Sequence, residues 1–355
     1  MHFNQLKYLF VYLTPVVVGL SLLADGGWTF GSVVVLFGLL PLLELFTKGS
    51  QVNMVEAQEA MAKTNRLYDW FLYSLVPLQY VLLLLFLFRL QDAGLTSTEL
   101  VGLTLSYGMA CGILGINAAH ELGHRTTKKE QNMSKILLLS TLYMHFFIEH
   151  NRGHHKKVAT SEDPASSRFG ESIYAFYIRS ISDSWLSAWH IEGTKLHKLG
   201  KRFWSWDNEM LRFQVWQLAL LIAIVLVFGW MAVALFIGGA MVGILLLESV
   251  NYIEHYGLRR QKTDKGYERT LPIHSWNSNH PIGRLVLLEL SRHSDHHFLA
   301  SRKYQVLRHF DESPQMPTGY PGMILIALVP PIWFRLMHRA IHRYRQSTQG
   351  FALAD

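Results

Sequence analysis

The hydrophobic positions of the chain fall into six long apolar runs, each close to the roughly 20 residues that a helix needs to cross a bilayer. The runs extend over 6–24, 28–46, 70–90, 99–118, 210–228 and 231–250. Very short connections join the first run to the second and the fifth to the sixth, which predicts two antiparallel hairpins. Trp28, Trp70 and Trp230 stand at run ends, as interfacial aromatic residues do. The pattern predicts an all-α, polytopic membrane protein with six transmembrane helices.

Two further apolar segments are predicted to stay at the membrane surface or inside the protein. Segment 135–148 is too short to cross a bilayer, so we expect a buried or interfacial helix. Segment 319–337 contains Pro321, Pro330 and Pro331, and prolines inside a helix interrupt it. We therefore expect an interfacial or re-entrant piece there and no seventh span.

Composition and charge support this topology. Charged residues make up 17% of the chain, below the quarter or so that is usual in soluble domains. With six spans, 32 of the 33 lysines and arginines fall on one side of the membrane, and the positive-inside rule assigns that side to the cytoplasm. We expect a single domain, 1–355, in the bacterial inner membrane with both termini cytoplasmic. The polar regions 119–209 and 251–355 would form a cytoplasmic helical cap.

Nine of the 18 histidines stand in four tight groups at the predicted cytoplasmic ends of the spans. They are His120 and His124; His150, His154 and His155; His255; and His293, His296 and His297. Spacings of three and four residues place imidazoles on one face of a helix. Neutral imidazole binds iron, zinc and copper, and nine imidazoles exceed what one metal ion accepts. The spacing therefore predicts a site for two metal ions in the cap.

Carboxylates beside these histidines are expected to accept hydrogen bonds from the imidazoles, as is common around protein-bound metals. The candidates are Glu121, Glu149, Glu254 and Asp295. Glu121 between His120 and His124 also matches the motif of zinc proteases, in which it would be the general base. That alternative leaves the other seven clustered histidines unexplained.

Residues one helical turn apart, on the membrane side of the histidines, are candidates for lining a substrate channel. Above His120 they are Ile116, Ile113 and Met109, and above His255 they are Asn251, Leu247 and Ile244. Ordinary packing between helices is the alternative for each of them.

The histidine groups and their surroundings resemble the membrane-bound alkane 1-monooxygenases, within the larger group of histidine-rich membrane hydroxylases and desaturases. The matching stretches are HELGHR from His120, EHNRGHHK from Glu149, ATSEDPASSRFGES from Ala159, NYIEHYGLR from Asn251, HSWNSNHP from His274 and LSRHSDHHF from Leu290. The resemblance extends from the third span to Met337. It implies two non-haem iron ions bound by the nine histidines, O2 as co-substrate, and hydroxylation of the terminal methyl of n-alkanes to primary alcohols.

The resemblance also implies that rubredoxin, reduced by its own reductase, delivers the electrons. Cys111 is the only cysteine, so a four-thiolate rubredoxin site cannot lie in this chain. The basic cytoplasmic residues suit an acidic rubredoxin or anionic membrane lipid, and no motif for binding nucleic acid is present. Three alternatives stay open: a xylene-type alkyl-aromatic side-chain monooxygenase, a fatty-acyl desaturase or hydroxylase, and a membrane scaffold or transporter.

Overall fold

The computed structural model describes residues 3–347, which are mostly helical. The helices are α1 Lys7–Leu23, α2 Gly26–Glu44, α3 Glu56–Thr64, α4 Arg66–Arg89, α5 Ser97–Gly123, α6 Lys128–Leu139, α7 Phe146–Glu149, α8 His155–Lys157, α9 Ile173–Lys198, α10 Glu209–His255, α11 Pro281–Val286, α12 His293–Phe298, α13 Tyr320–Ala327 and α14 Pro330–Ser347. The strands β1 Lys262–Thr263 and β2 Gly266–Tyr267 form a small antiparallel hairpin, an exception to the predicted all-α structure.

Within residues 3–347, four helices are long and apolar enough to cross a bilayer: α2, α4, α5 and α10. Helix α1 is apolar but shorter. Helix α10 has 47 residues and is broken at Gly229, whose φ of 83° and ψ of 175° are not helical. The break falls between the predicted fifth and sixth spans and gives α10 two arms.

The long apolar helices make the chain a membrane protein. The count of six spans, the cytoplasmic cap and the location of the termini stay predictions, and residues 1–2 and 348–355 lie outside the described residues.

The two short apolar segments each form a pair of helices. Segment 135–148 is divided between the end of α6 and the start of α7, with a turn between them. Segment 319–337 begins α13 and α14, and its prolines lie in the first turns of these helices. The first turn of a helix accepts proline because its N–H groups have no partner within the helix.

The chain divides into two compact units. The first contains Arg66–Arg152, Trp185–Leu247 and the described part of Met1–Gly38. The second contains Leu39–Asn65, Gly153–Ser184 and the described part of Glu248–Asp355. The prediction of one domain over 1–355 stays a prediction.

In the first unit, glycines allow α5 and the second arm of α10 to pack closely. A Cβ added at Gly108 would lie 2.5 Å from Val242, and one added at Gly243 would lie 2.4 Å from the Cβ of Cys111. Gly108 with Gly112, and Gly239 with Gly243, repeat at four-residue spacing on the two helices. Small residues at this spacing let helix backbones approach each other in a membrane.

In the second unit, an aromatic core supports the end of α10. The ring of Trp333 lies 5.2 Å from that of Tyr252 and 5.3 Å from that of Tyr256. The Trp276 indole N–H donates to the Tyr256 carbonyl over 2.9 Å, and the Ser167 hydroxyl donates to the Tyr252 carbonyl over 2.7 Å. These contacts fix the backbone immediately around His255.

Candidate metal centre

Four buried histidines of the second unit converge on one point. His154 comes from the π-helical turn His150–His154, His255 ends α10, and His293 and His297 stand one turn apart on α12. The Nε2 atoms of His154 and His297 are 3.2 Å apart, and those of His255 and His293 are 3.3 Å apart. One nitrogen from each residue lies within 4.8 Å of the others.

These separations suit a metal ion. Metal–nitrogen distances of about 2.1 Å place neighbouring ligands roughly 3.0 to 3.4 Å apart at octahedral or tetrahedral angles. Burial is the largest cause of a pKa of His297 well below the usual value, and the neighbouring histidines lower it further, so the His297 ring is neutral. Neutral imidazoles have a lone pair for a metal, so these four residues, named below the histidine tetrad, fit the predicted ligand role.

Asp163 orients one member of the tetrad and was not among the residues nominated from the sequence. Its Oδ2 lies 2.9 Å from Nδ1 of His154 and also accepts a 2.5 Å hydrogen bond from the Ser166 hydroxyl. Burial would raise the pKa of Asp163, but His154 and Ser166 outweigh it and hold the pKa below its usual value. A carboxylate only accepts, so Nδ1 of His154 carries the proton and Nε2 keeps its lone pair for the metal.

Glu254 contacts the tetrad from the side on which the histidine nitrogens meet. Its Oε2 lies 3.1 Å from Nε2 of His293, the nitrogen that also faces His255. Its Oε1 accepts a 2.7 Å hydrogen bond from the Tyr320 hydroxyl. Glu254 was expected to accept from the outer N–H of a ligand; the observed contact places its carboxylate beside the His293 nitrogen that faces His255.

Two more predicted ligands form a pair in the same unit. The Nε2 atoms of His155 and His296 are 3.0 Å apart. Asp295, next to His296 in the chain, is buried and held by arginines: its Oδ2 accepts the Arg308 backbone N–H over 2.7 Å and lies 3.3 Å from Nε of Arg302. Burial raises the pKa of Asp295 and outweighs these arginines.

The other three predicted ligands lie together in the first unit. His120 belongs to α5 and His124 follows its end. The Nε2 atoms of His124 and His150 are 3.0 Å apart, and the His120 ring centre lies 4.5 Å from that of His150. These distances also suit ligands of a metal ion.

The two carboxylates nominated in the first unit contact other polar groups. Oε1 of Glu121 lies 2.8 Å from the guanidinium of Arg125, which also contacts Asp69 over 3.2 Å. This ion pair gives Glu121 a role other than the general base of a zinc protease. Glu149 is buried, and its Oε1 lies 3.5 Å from the Ser187 hydroxyl.

The channel candidates are mostly buried, and those on α5 lie in or beside a π-helical segment. Met109, Ile116 and Ile244 are buried, whereas Ile113 and Leu247 are half-buried. The segment Cys111–Ile116 is π-helical, so its residues turn less far around the axis than α-helical spacing assumes.

Asn251 lies in polar surroundings. Its amide donates over 3.4 Å to Glu248, which also accepts a 2.6 Å hydrogen bond from the Ser180 hydroxyl. A role for Asn251 in lining the channel stays a prediction.

Comparison with known proteins identifies the class to which this histidine-rich membrane protein belongs. The model of the fatty acid desaturase family matches residues 97–327. The chain is 43% identical to an alkane 1-monooxygenase of Pseudomonas putida over 327 residues, which cover 91% of this chain and 80% of the relative. It is 41% identical to alkane 1-monooxygenase 1 of Pseudomonas aeruginosa over 326 residues, covering 89% and 84%.

A xylene/toluene monooxygenase hydroxylase component of Pseudomonas putida is 27% identical over 350 residues, covering 94% of this chain and 88% of the relative. The fold and the histidines define a membrane oxidoreductase of the histidine-rich type. The chain belongs to the fatty acid desaturase family and, within it, to the alkane 1-monooxygenases. It is therefore an enzyme, a monooxygenase. The predicted resemblance is confirmed, and the scaffold, transporter and zinc-protease alternatives are set aside.

Proposed function

We propose that this enzyme hydroxylates the terminal methyl group of n-alkanes to primary alcohols at two histidine-bound iron ions. One molecule of O2, two electrons and two protons are consumed, and one alcohol and one water are formed. The names of the relatives at about 40% identity support an alkane substrate.

The observation that carries this proposal is the histidine tetrad. Four imidazoles would saturate a tetrahedral zinc ion, and zinc has no redox chemistry. An iron ion held by the same four ligands would supply redox chemistry toward O2. A donor set of four buried imidazole nitrogens suits iron, so the monooxygenase class of the relatives favours iron over zinc here.

The remaining predicted ligands are proposed to bind iron as well. These are His120, His124, His150, His155 and His296. Support comes from each unit separately: His124 and His150 in the first, and His155 and His296 in the second, each present paired Nε2 atoms 3.0 Å apart.

The protein's own residues orient and shield the reaction. When bound, the iron ions supply the redox chemistry that activates O2 toward an unactivated C–H bond. Asp163 holds the proton of His154 on Nδ1 and fixes the orientation of the ring. An alkane has no polar group, so buried Met109, Ile116 and Ile244 suit it by excluding water from the span interior.

Rubredoxin is the proposed electron donor, as a separate protein. The one cysteine, Cys111, is buried within α5 and cannot supply a rubredoxin centre. The basic residues of 119–209 and 251–355 support docking of an acidic partner at the cytoplasmic face. The same charges support the proposed orientation, in the bacterial inner membrane with both termini in the cytoplasm.

Acyl-chain oxidation is the second candidate, because the family model that matches residues 97–327 describes fatty acid desaturases. The lower identity to the xylene/toluene hydroxylase component makes alkyl-aromatic oxidation a weaker candidate. Analysis of the products formed from alkane, acyl and alkyl-aromatic substrates of similar size distinguishes the three candidate activities.

Metal analysis tests the proposed centre. Protein purified without oxygen should contain two iron ions per chain, and His297→Ala should contain one or none. His197→Ala removes an exposed histidine outside the clusters and should still contain two. Zinc in place of iron, or full iron content in His297→Ala, would overturn the proposed site.

A further inference from the structure

An open groove of about 560 Å³ lies in the first unit, between α6 and the start of α10. Its walls are mainly apolar, and its volume is within the range of small-molecule pockets. The apolar lining consists of Ile136, Leu139, Met144, Phe213 and Trp216. None of these residues is among the ligands or the channel candidates, so the groove is separate from the proposed metal centre.

The rim of the groove carries positive charge. Nζ of Lys135 forms an ion pair with Oε1 of Glu209 over 2.5 Å, and Oε2 of Glu209 lies 3.5 Å from Nη2 of Arg152. Arg212 lines the same groove, and within residues 3–347 its guanidinium makes no hydrogen bond or ion pair. The exposed side chain of Asn132 stands on the same rim. The groove therefore combines an apolar floor with a cation that lacks a counter-ion.

The groove lies where α10 changes from polar to apolar surroundings. Lys201 and Arg202 precede the helix, and its outer face is then apolar and exposed: Trp216 is 53%, Leu218 58% and Leu226 79% exposed. A helix with such a face is in contact with lipid, and tryptophan marks the level of the headgroups. Ile136 on α6, 45% exposed, continues this face into the groove.

We propose that this groove binds an anionic phospholipid of the surrounding bilayer. One acyl chain lies against Leu139, Met144 and Phe213, and the phosphate accepts hydrogen bonds from Arg212 and Asn132. Charge complementarity selects this occupant: an alkane would leave Arg212 without a counter-charge, and a zwitterionic lipid would bring its own cation to the rim. Because no iron ligand takes part, the site does not depend on the proposed function.

The test is native mass spectrometry of the full chain in detergent with equal amounts of phosphatidylglycerol and phosphatidylcholine of identical acyl chains. The wild-type protein should retain phosphatidylglycerol in preference. Arg212→Gln should lower that preference roughly fivefold, the effect of about one cationic side chain at a lipid surface. Leu139→Trp, which fills the groove, should lower retention of phosphatidylglycerol while leaving iron content and helicity unchanged.

Arg335→Gln is the matched control, because Arg335, like Arg212, has no ion pair within residues 3–347; it is exposed on α14, outside the groove. It should leave the lipid preference unchanged. Equal retention of the two lipids by the wild-type protein would overturn the proposal. So would a loss in Arg335→Gln as large as that in Arg212→Gln, or undiminished retention by Leu139→Trp.

Discussion

At the scale of single residues, an imidazole that binds a metal depends on the group that holds its second nitrogen. Spacing alone was enough to nominate nine histidines, and the structure brings all of them to within hydrogen-bond or ring-contact distance of another ligand candidate in the same unit. Asp163 could not be found in this way. It follows His154 by nine residues in a non-helical loop, and a turn at Ala159 with φ of 57° brings it back to the ring.

Replacement of Asp163 tests this orienting role. Asp163→Asn keeps the shape of the side chain but can turn an N–H toward His154, which disfavours the tautomer that binds metal. We expect iron affinity to fall about 10- to 100-fold, measured by competition with a chelator. Glu162→Gln, at the exposed neighbouring position, should change nothing. Unchanged iron affinity in Asp163→Asn would show that His154 is oriented by other contacts.

At the scale of helices, hydropathy located the long apolar segments, while their internal irregularities remained hidden. In a π-helical turn each N–H bonds to the carbonyl five residues back instead of four, and this shift leaves no signal in hydropathy. The turns Cys111–Ile116 and His150–His154 were therefore not foreseen. The second is consequential, because His150 contacts His124 whereas His154 contacts His297. The close approach of α5 and α10 likewise depends on glycines that hydropathy does not distinguish.

Because glycines allow α5 and α10 to pack closely, we expect a larger side chain at this contact to lower the stability of the protein. Gly243→Ala would place a methyl group 2.4 Å from the Cβ of Cys111, so the helices must separate. We expect a loss of about 1 to 3 kcal/mol in stability, seen as a lower melting temperature in detergent. Gly38→Ala on α2 meets no atom closer than 4.0 Å and should have little effect. Equal melting temperatures for both variants would contradict the close packing.

The proposed channel makes a prediction for Ile113, the half-buried candidate on α5. Enlarging this side chain in Ile113→Trp should shorten the preferred alkane, because a longer chain would no longer fit above the metal ions. Val101→Trp, at a 53% exposed position on the same helix, is the control and should leave the preference unchanged. The readout is the product yield across a series of n-alkane lengths. An unchanged profile for Ile113→Trp would remove this residue from the channel.

At the scale of the whole molecule, the topology was inferred from charge and from the parity of six spans. The structure shows the long apolar helices and the break at Gly229. The proposed sidedness rests on the positive-inside rule, which uses the distribution of lysine and arginine between the two sides of the membrane. The division into two compact units could not be predicted, because each unit gathers segments that are distant in sequence.

Cysteine labelling tests the topology, and the chain is well suited to it because its one cysteine is buried. A membrane-impermeant maleimide should label Gly94→Cys in intact cells, since 91–98 is predicted to face the periplasm. Ser205→Cys should be labelled only after the membrane is opened. Unmodified protein, with Cys111 alone, reports the background. Labelling of Ser205→Cys in intact cells would place the basic regions outside and refute the assigned orientation.

The most direct test of terminal alkane hydroxylation at the histidine-bound metal centre is gas chromatography of cells that express this chain with a rubredoxin and its reductase and are fed n-alkanes. We expect primary alcohols from the wild-type chain and from His197→Ala, and none from His150→Ala. No alcohol from any alkane, with iron bound and rubredoxin reduced, would contradict the proposed substrate and point to acyl-chain oxidation. Alcohol from His150→Ala at the wild-type level would contradict the proposed metal centre.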